Sequence, residues 1–101
     1  CLLANAQRVG THLKSGLQKA LAAELAEGSV KEIRGQGLMI GIDLAKPCGA
    51  LMKQCLDHGL LISVTADTVI RLAPPLILSA TQADEIISIL CPLIQKILKS
   101  D

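Results

Sequence analysis

Hydrophobic residues recur at every fourth position near the start of the chain, which predicts an amphipathic helix. The apolar positions are Val9, Leu13, Leu17, Leu21 and Leu25. Arg8, Lys14, Gln18 and Glu24 fall on other faces, as expected of a helix with one side packed on a core. We predict that this helix covers residues 4–27 and ends at Gly28, since glycine readily adopts the left-handed conformation common after helices.

Alternation of apolar and polar residues predicts four short strands farther along the chain. The strands cover residues 30–34, 38–44, 60–64 and 69–73. In the second strand, Met39, Gly41 and Asp43 share the face opposite the apolar one. Gly41 leaves room there for a close neighbour. A turn at residues 65–68 predicts that the last two strands pair antiparallel.

Two further helices complete the predicted order of elements. One covers residues 48–58 and ends at Gly59. The other begins near Thr81, where Thr81 and Asp84 resemble a capping box, and Pro92 is expected to kink it. The resulting order, α-β-β-α-β-β-α, predicts an α+β fold in which helices pack on a small, mostly antiparallel sheet.

The composition excludes several classes of partner. Half of the residues are hydrophobic, yet the chain has no Phe, Tyr or Trp, so the core must be aliphatic. Single-stranded nucleic-acid sites usually need aromatic stacking platforms. The net charge is only +1, too little to hold a phosphate backbone or an anionic membrane surface. We therefore expect neither nucleic acid nor membrane as a partner.

The cysteines and histidines do not form a recognisable metal or catalytic motif. No two of the four cysteines make a C-x-x-C pair, so a zinc site is not expected. We predict reduced thiols that act as small apolar residues in a cytoplasmic protein. His12 and His58 are expected to be structural or solvated. The chain begins with Cys1 rather than Met, so we expect it to be part of a longer protein.

Arg71 is the main candidate for a functional residue. It is the only charged residue in the apolar strand 69–73, which runs into a double proline. A guanidinium stays protonated and is costly to strip of water, so it needs an anionic partner. One alternative is an internal salt bridge to Asp43 or Glu32, which composition alone favours. The other is a substrate carboxylate held by two parallel N–H···O bonds.

Two stretches resemble a known enzyme family. VKEIRGQGLMIGIDL (residues 30–44) and GLLISVTADTVIRLAPPL (residues 59–76) resemble the C-terminal domain of class-III pyridoxal-phosphate aminotransferases. The second stretch most resembles the acetylornithine aminotransferases within that family. Departures are small, with Asp43 where Glu is common and Ser63 where Asn is frequent.

The resemblance implies a fold, a reaction and a role for Arg71. Residues 1–101 would be the C-terminal small domain, made of a connecting helix (1–28) and a sheet-and-helix body (29–101). The family enzymes are homodimers that transfer an amino group from N-acetylornithine to 2-oxoglutarate with pyridoxal phosphate, in arginine biosynthesis. By this resemblance Arg71 is the arginine that binds the substrate α-carboxylate.

The same resemblance implies that the covalent chemistry lies outside this chain. The cofactor lysine, the phosphate site and the aspartate that pairs with the pyridine nitrogen belong to the preceding large domain. We therefore expect no catalytic or cofactor-binding residue here, no activity from the chain alone, and Arg71 near the surface.

Two alternative functions remain open at this point. One is another class-III aminotransferase, acting on ornithine or succinylornithine. The other is a stand-alone α+β module that binds a ligand or a protein.

Overall fold

A four-stranded antiparallel sheet with helices on one face makes up the fold, as the sequence predicts. The computed structural model describes residues 2–36, 39–60, 62–72 and 78–99. In chain order, the elements are α1 (Leu2–Ala20), α2 (Ala22–Glu27), β1 (Val30–Gln36), β2 (Met39–Leu44), α3 (Ala50–Asp57), β3 (Ser63–Thr65), β4 (Val69–Leu72) and α4 (Ala80–Lys99).

The strands lie in the order β1-β2-β4-β3, and each neighbouring pair is antiparallel. One face of the sheet is apolar and buried, because alternate residues such as Ile40, Ile42 and Ile70 point into the core. The opposite face carries Gly41 and Arg71. The predicted alternation in both strands is therefore confirmed for the described residues.

An irregularity in β1 decides which of its residues reach the open face. The register with β2 shifts between Val30 and Glu32. This bulge lets Val30 stay buried while Glu32 turns to the same side as Arg34. The sequence carries the signal for it, since the apolar residues Val30 and Ile33 are three positions apart rather than two.

The core is aliphatic and lies between the sheet and the helices. Its fully buried side chains include Leu13, Leu17 and Leu21 from the first helical region and Leu90 and Ile94 from α4. Each such leucine contributes roughly 2–5 kcal/mol, as judged from the cost of truncating buried leucine to alanine. This packing covers the apolar face of the sheet and leaves the opposite face open.

The predicted single helix over residues 4–27 is interrupted at Leu21, so that prediction is wrong in detail. Leu21 has φ −107° and ψ 19°, outside the helical range. The side-chain amide of Gln95 donates to the carbonyl of Ala20 at 3.3 Å and to Oε1 of Glu24 at 2.8 Å. A side chain that binds a helix carbonyl in this way locally distorts the hydrogen-bond ladder. Glu24, predicted to lie on a face away from the core, is buried against Gln95 instead.

The start of α4 also differs from the prediction. The capping box is formed by Ser79 and Gln82, not by Thr81 and Asp84. Ser79 Oγ accepts from the backbone N–H of Gln82 at 3.1 Å, and Gln82 Oε1 accepts from the N–H of Ser79 at 3.0 Å. Asp84 instead lies 2.7 Å from His12 Nε2 and links α4 to α1. The helix continues through Pro92, and the kink stays a prediction.

A short turn joins β3 to β4, which pair as an antiparallel hairpin, as predicted. Ala66 and Asp67 adopt left-handed conformations, with φ 52° and 64°. The carbonyls of Asp67 and Thr68 accept hydrogen bonds from the backbone N–H groups of Cys48 and Leu44. These bonds tie the turn to the end of β2 and so help to fix the position of β4.

Candidate functional site

A row of residues crosses the open face of the sheet. Gly41 on β2 is the register partner of Arg34 on β1 and of Arg71 on β4. Ser63 on β3 is the register partner of Arg71 on its other side. Because directly opposed residues in antiparallel strands share a face, two arginines flank one glycine in the middle of this face.

Because Gly41 has no side chain, the side chain of Arg34 has space to lie over it. A Cβ atom built on Gly41 would lie 3.6 Å from both Cγ and Nε of Arg34. The Arg34 side chain therefore lies over Gly41, in ordinary van der Waals contact range of that position. The predicted close neighbour of Gly41 is this side chain.

An open cleft of about 470 Å³ lies on the same face. Its lining includes Arg34, Gly41, Ser63 and Arg71 from the cross-strand row, together with Gly35, Met39, Ile40 and Leu72. The large apolar side chain at its edge, Met39, is 68% exposed. A cleft with an apolar wall and a few convergent polar groups is typical of a small-molecule site.

The charge of Arg34 is offset by two carboxylates. Its Nη1 atom donates to Oε2 of Glu32 at 3.1 Å and lies 4.0 Å from Oδ2 of Asp43. Asp43 is the more shielded of the two acids, with 28% of its side chain exposed against 60% for Glu32. Arg34 thus joins two acidic residues that face each other across β1 and β2.

Arg71 has no acidic partner among residues 2–36, 39–60, 62–72 and 78–99. It is exposed, as the resemblance leads us to expect. The internal salt bridge to Asp43 or Glu32, which composition favours, is not formed, and both acids lie near Arg34 instead. A solvated guanidinium with open donors can hold a carboxylate through two parallel hydrogen bonds. The role of Arg71 in substrate binding stays a prediction.

Other reactive side chains lie elsewhere. His12 pairs with Asp84 on the helical side, and Nδ1 of His58 lies 2.9 Å from the carbonyl of Gln54. Cys48, Cys55 and Cys91 are free and buried. Neither histidine lines the cleft.

Burial disfavours the thiolate form of the cysteines. It raises the pKa of Cys91 to about 11, with a further contribution from the nearby carboxylate of Glu24. Burial likewise raises the pKa values of Cys48 and Cys55. Within the described ranges, no three His, Cys, Asp or Glu side chains are grouped to hold a metal ion. No helix there is long and apolar enough to cross a membrane.

Sequence reasoning missed Arg34. Its spacing from Glu32 along a strand gave an ordinary polar face, and only the pairing of β1 with β2 brings it over Gly41. A signal was available, since a glycine in mid-strand indicates that another group approaches closely. The sequence alone does not say which group that is.

The Aminotransferase class-III family model matches residues 1–94. The chain belongs to the class-III aminotransferases. This class-III chain is 53% identical over 98 residues to acetylornithine aminotransferase 1 of Bordetella bronchiseptica. The matched stretch covers 96% of the chain and 24% of that relative. It is 39% identical over 89 residues to acetylornithine aminotransferase of Aquifex aeolicus, covering 88% of the chain and 22% of the relative.

Solved structures of aminotransferases share the fold. Ornithine delta-aminotransferase of Plasmodium falciparum matches 94% of this class-III chain and 25% of its own, with a TM-score of 0.84 and 26% identity. The chain therefore spans about a quarter of the length of the relatives that it matches. Family membership and the α+β fold, both predicted from the sequence, are confirmed.

Proposed function

We propose that this chain is the C-terminal small domain of an acetylornithine aminotransferase, and that Arg71 binds the α-carboxylate of the substrate. The observation that carries the proposal is an exposed arginine that lines a cleft and lacks an acidic partner in the described part of the chain. The full enzyme would move an amino group between N-acetylornithine and 2-oxoglutarate.

The identities of the relatives support this choice of substrate. The Bordetella relative, at 53% identity, carries the name acetylornithine aminotransferase 1, whereas the Plasmodium structure named for ornithine is 26% identical. Ornithine and succinylornithine are the competing amino donors. They differ from acetylornithine at the end of the molecule away from the α-carboxylate. Binding of the α-carboxylate by Arg71 therefore does not discriminate among the three.

The chemistry of a guanidinium suits the proposed task. Both substrates bear an α-carboxylate, and Arg71 offers two N–H donors in a plane that matches the two carboxylate oxygens. A hydrogen bond to a charged group contributes about 1.5–3 kcal/mol. The pair of bonds orients the substrate as well as holding it. Lysine cannot reproduce that fork because its ammonium is a point charge.

The cleft does not itself fit pyridoxal phosphate. The cofactor needs a lysine for its Schiff base, and no lysine is among the described residues that line the cleft. We propose that the cofactor is held by a large domain outside this chain and serves there as an electron sink. The part of this chain is to bind and orient the carboxylate at the edge of that site.

The proposal extends to the assembly and the location of the enzyme. We propose a homodimer in the cytoplasm, within arginine biosynthesis. Three free, buried cysteines in the described part of the chain fit a reducing compartment. The open face of the sheet, with its cleft and exposed Met39, would meet the large domain.

The test uses the full-length protein loaded with pyridoxal phosphate. Among acetylornithine, succinylornithine and ornithine, each paired with 2-oxoglutarate, acetylornithine should give the highest kcat/KM. Arg71→Gln should lower kcat/KM at least about a hundredfold and Arg71→Lys about tenfold, because lysine keeps the charge but loses the fork. Arg8→Gln is the matched control, since Arg8 is exposed and contacts Asn5 on α1. Unchanged kinetics in both Arg71 variants would remove the proposed role.

A further inference from the structure

The cross-strand row contains one arginine that is neutralised and one that is not. Arg34 contacts Glu32 and Asp43, whereas Arg71 contacts no acid among the described residues. The two arginines are separated by Gly41 alone. Asp43 is a diagonal neighbour of both arginines in the register of the sheet, yet it lies close to Arg34 alone.

The nearby acid is Asp43. Its register partner on β4 is Val69, which is two residues from Arg71 and on the same face. Diagonal neighbours of this kind in antiparallel strands lie roughly 7–8 Å apart, within reach of a long side chain. The sheet thus places Asp43 where Arg71 could pair with it, and Asp43 is turned towards Arg34 instead, with Oδ2 at 4.0 Å from Nη1.

Arg34 also offsets the repulsion between Glu32 and Asp43. They are register partners across β1 and β2, and like charges directly opposite one another destabilise a sheet. The Arg34 guanidinium, laid over Gly41, offsets both charges at once. Removal of that cation would free Asp43 to turn towards Arg71, its diagonal neighbour on β4.

We propose that Arg34 is a positioning residue that holds Asp43 away from Arg71 and so keeps Arg71 available to the substrate carboxylate. The inference rests on the proposed function of Arg71. An Arg71–Asp43 pair would have to open before each substrate bound. Apparent affinity then falls in proportion to the fraction of molecules in which Arg71 is open. A pair that is closed about nine-tenths of the time would raise KM about tenfold.

The variant Arg34→Gln tests this in the full-length, cofactor-loaded protein. We expect KM for the amino donor and for 2-oxoglutarate to rise about tenfold, with kcat changed much less. Arg34→Lys should fall between, since an ammonium can offset the acids without the planar fork. Adding Asp43→Asn to Arg34→Gln should bring KM back to within about threefold of the original value, because the competing carboxylate is gone.

Rescue must also depend on Arg71. In a protein that already carries Arg71→Gln and Arg34→Gln, adding Asp43→Asn should leave KM unchanged. A purely structural role for Arg34 would give no rescue by Asp43→Asn, or a rescue that persists without Arg71, and either result overturns the inference. An unchanged KM in Arg34→Gln overturns it as well. If Arg71→Gln alone has no effect on kinetics, the proposed function fails first, which separates the two failures.

Discussion

The Oδ2 atom of Asp43 lies 4.0 Å from Nη1 of Arg34, whereas no acid of the described residues lies within salt-bridge distance of Arg71. Composition alone makes Asp43 a natural salt-bridge partner for Arg71, since charges in apolar strands are usually paired within the protein. In the structure, Asp43 lies near Arg34 instead. Arg71 is left exposed in a cleft, where a ligand can supply the missing anion.

Substitution of Gly41 should disturb the site in proportion to size. Gly41→Ala places a Cβ 3.6 Å from the nearest Arg34 atoms, which is ordinary contact, and we expect KM to change by less than about twofold. Gly41→Val adds methyl groups where the Arg34 side chain lies. It should raise KM about tenfold by displacing Arg34 from its acids. Steady-state kinetics of the full-length enzyme provide the measurement.

Gly49→Ala is the control for these variants. A Cβ at Gly49 meets no atom within 4 Å, and its φ of −55° suits any residue. Its KM should equal that of the parent protein. Equal KM values for Gly41→Ala and Gly41→Val would contradict the contact between Gly41 and Arg34.

The capping box at the start of α4 predicts a difference between two neighbouring residues. Ser79→Ala removes the acceptor for the Gln82 N–H and should cost about 1 kcal/mol. Amide exchange at Gln82 should then be about fivefold faster. Thr81→Ala should leave the exchange rate at Gln82 unchanged. Thr81 is exposed, and its side chain makes no hydrogen bond to the described residues. Faster exchange in the Thr81 variant alone would restore the Thr81–Asp84 capping box.

The buried thiol of Cys91 predicts a pH dependence. Burial raises its pKa from the ordinary value of 9.0 to about 11. The folded protein therefore keeps this proton when an unfolded chain has lost it, so this group favours folding fully below pH 9. That contribution is lost as the pH rises towards 11.

Titration of the Cys91 ¹³Cβ chemical shift checks this shift, because it needs no reagent to reach the buried thiol. In the native protein, the midpoint should lie near pH 11, whereas a short unfolded peptide should show a midpoint near pH 9. A native midpoint near 9 would contradict the effect of burial on the thiol.

The fold could be predicted because its signals are local. The spacing of Leu13 and Leu17 marks a helix, and the alternation of Ile40 and Ile42 marks a strand. Glycine and the turn at residues 65–68 mark boundaries. One error was local, since Ser79 and Gln82 carry a capping-box signal that was read two residues too late. The other came from a contact between distant elements. Gln95 interrupts the first helix at Leu21 by binding the Ala20 carbonyl, and no local pattern reveals a partner 75 residues away.

The candidate site was predictable only in part. Arg71 stands out because it is a lone charge in an apolar strand, and the motif around it resembles the family. Arg34 does not stand out, because a charged residue on an exposed strand face is ordinary. Its importance arises from the register of β1 with β2, which sets it opposite Gly41, and register depends on the whole sheet.

The central claim is that Arg71 recognises the substrate α-carboxylate, and a comparison of two substrates tests it most directly. The kcat/KM of the full-length enzyme is measured for the amino donor and for its α-carboxamide, in the parent protein and in Arg71→Gln. The parent should prefer the acid by at least about a hundredfold, and Arg71→Gln should reduce that preference to within about threefold, because the partner of the carboxylate is gone. A preference for the acid that survives intact in Arg71→Gln would contradict the account.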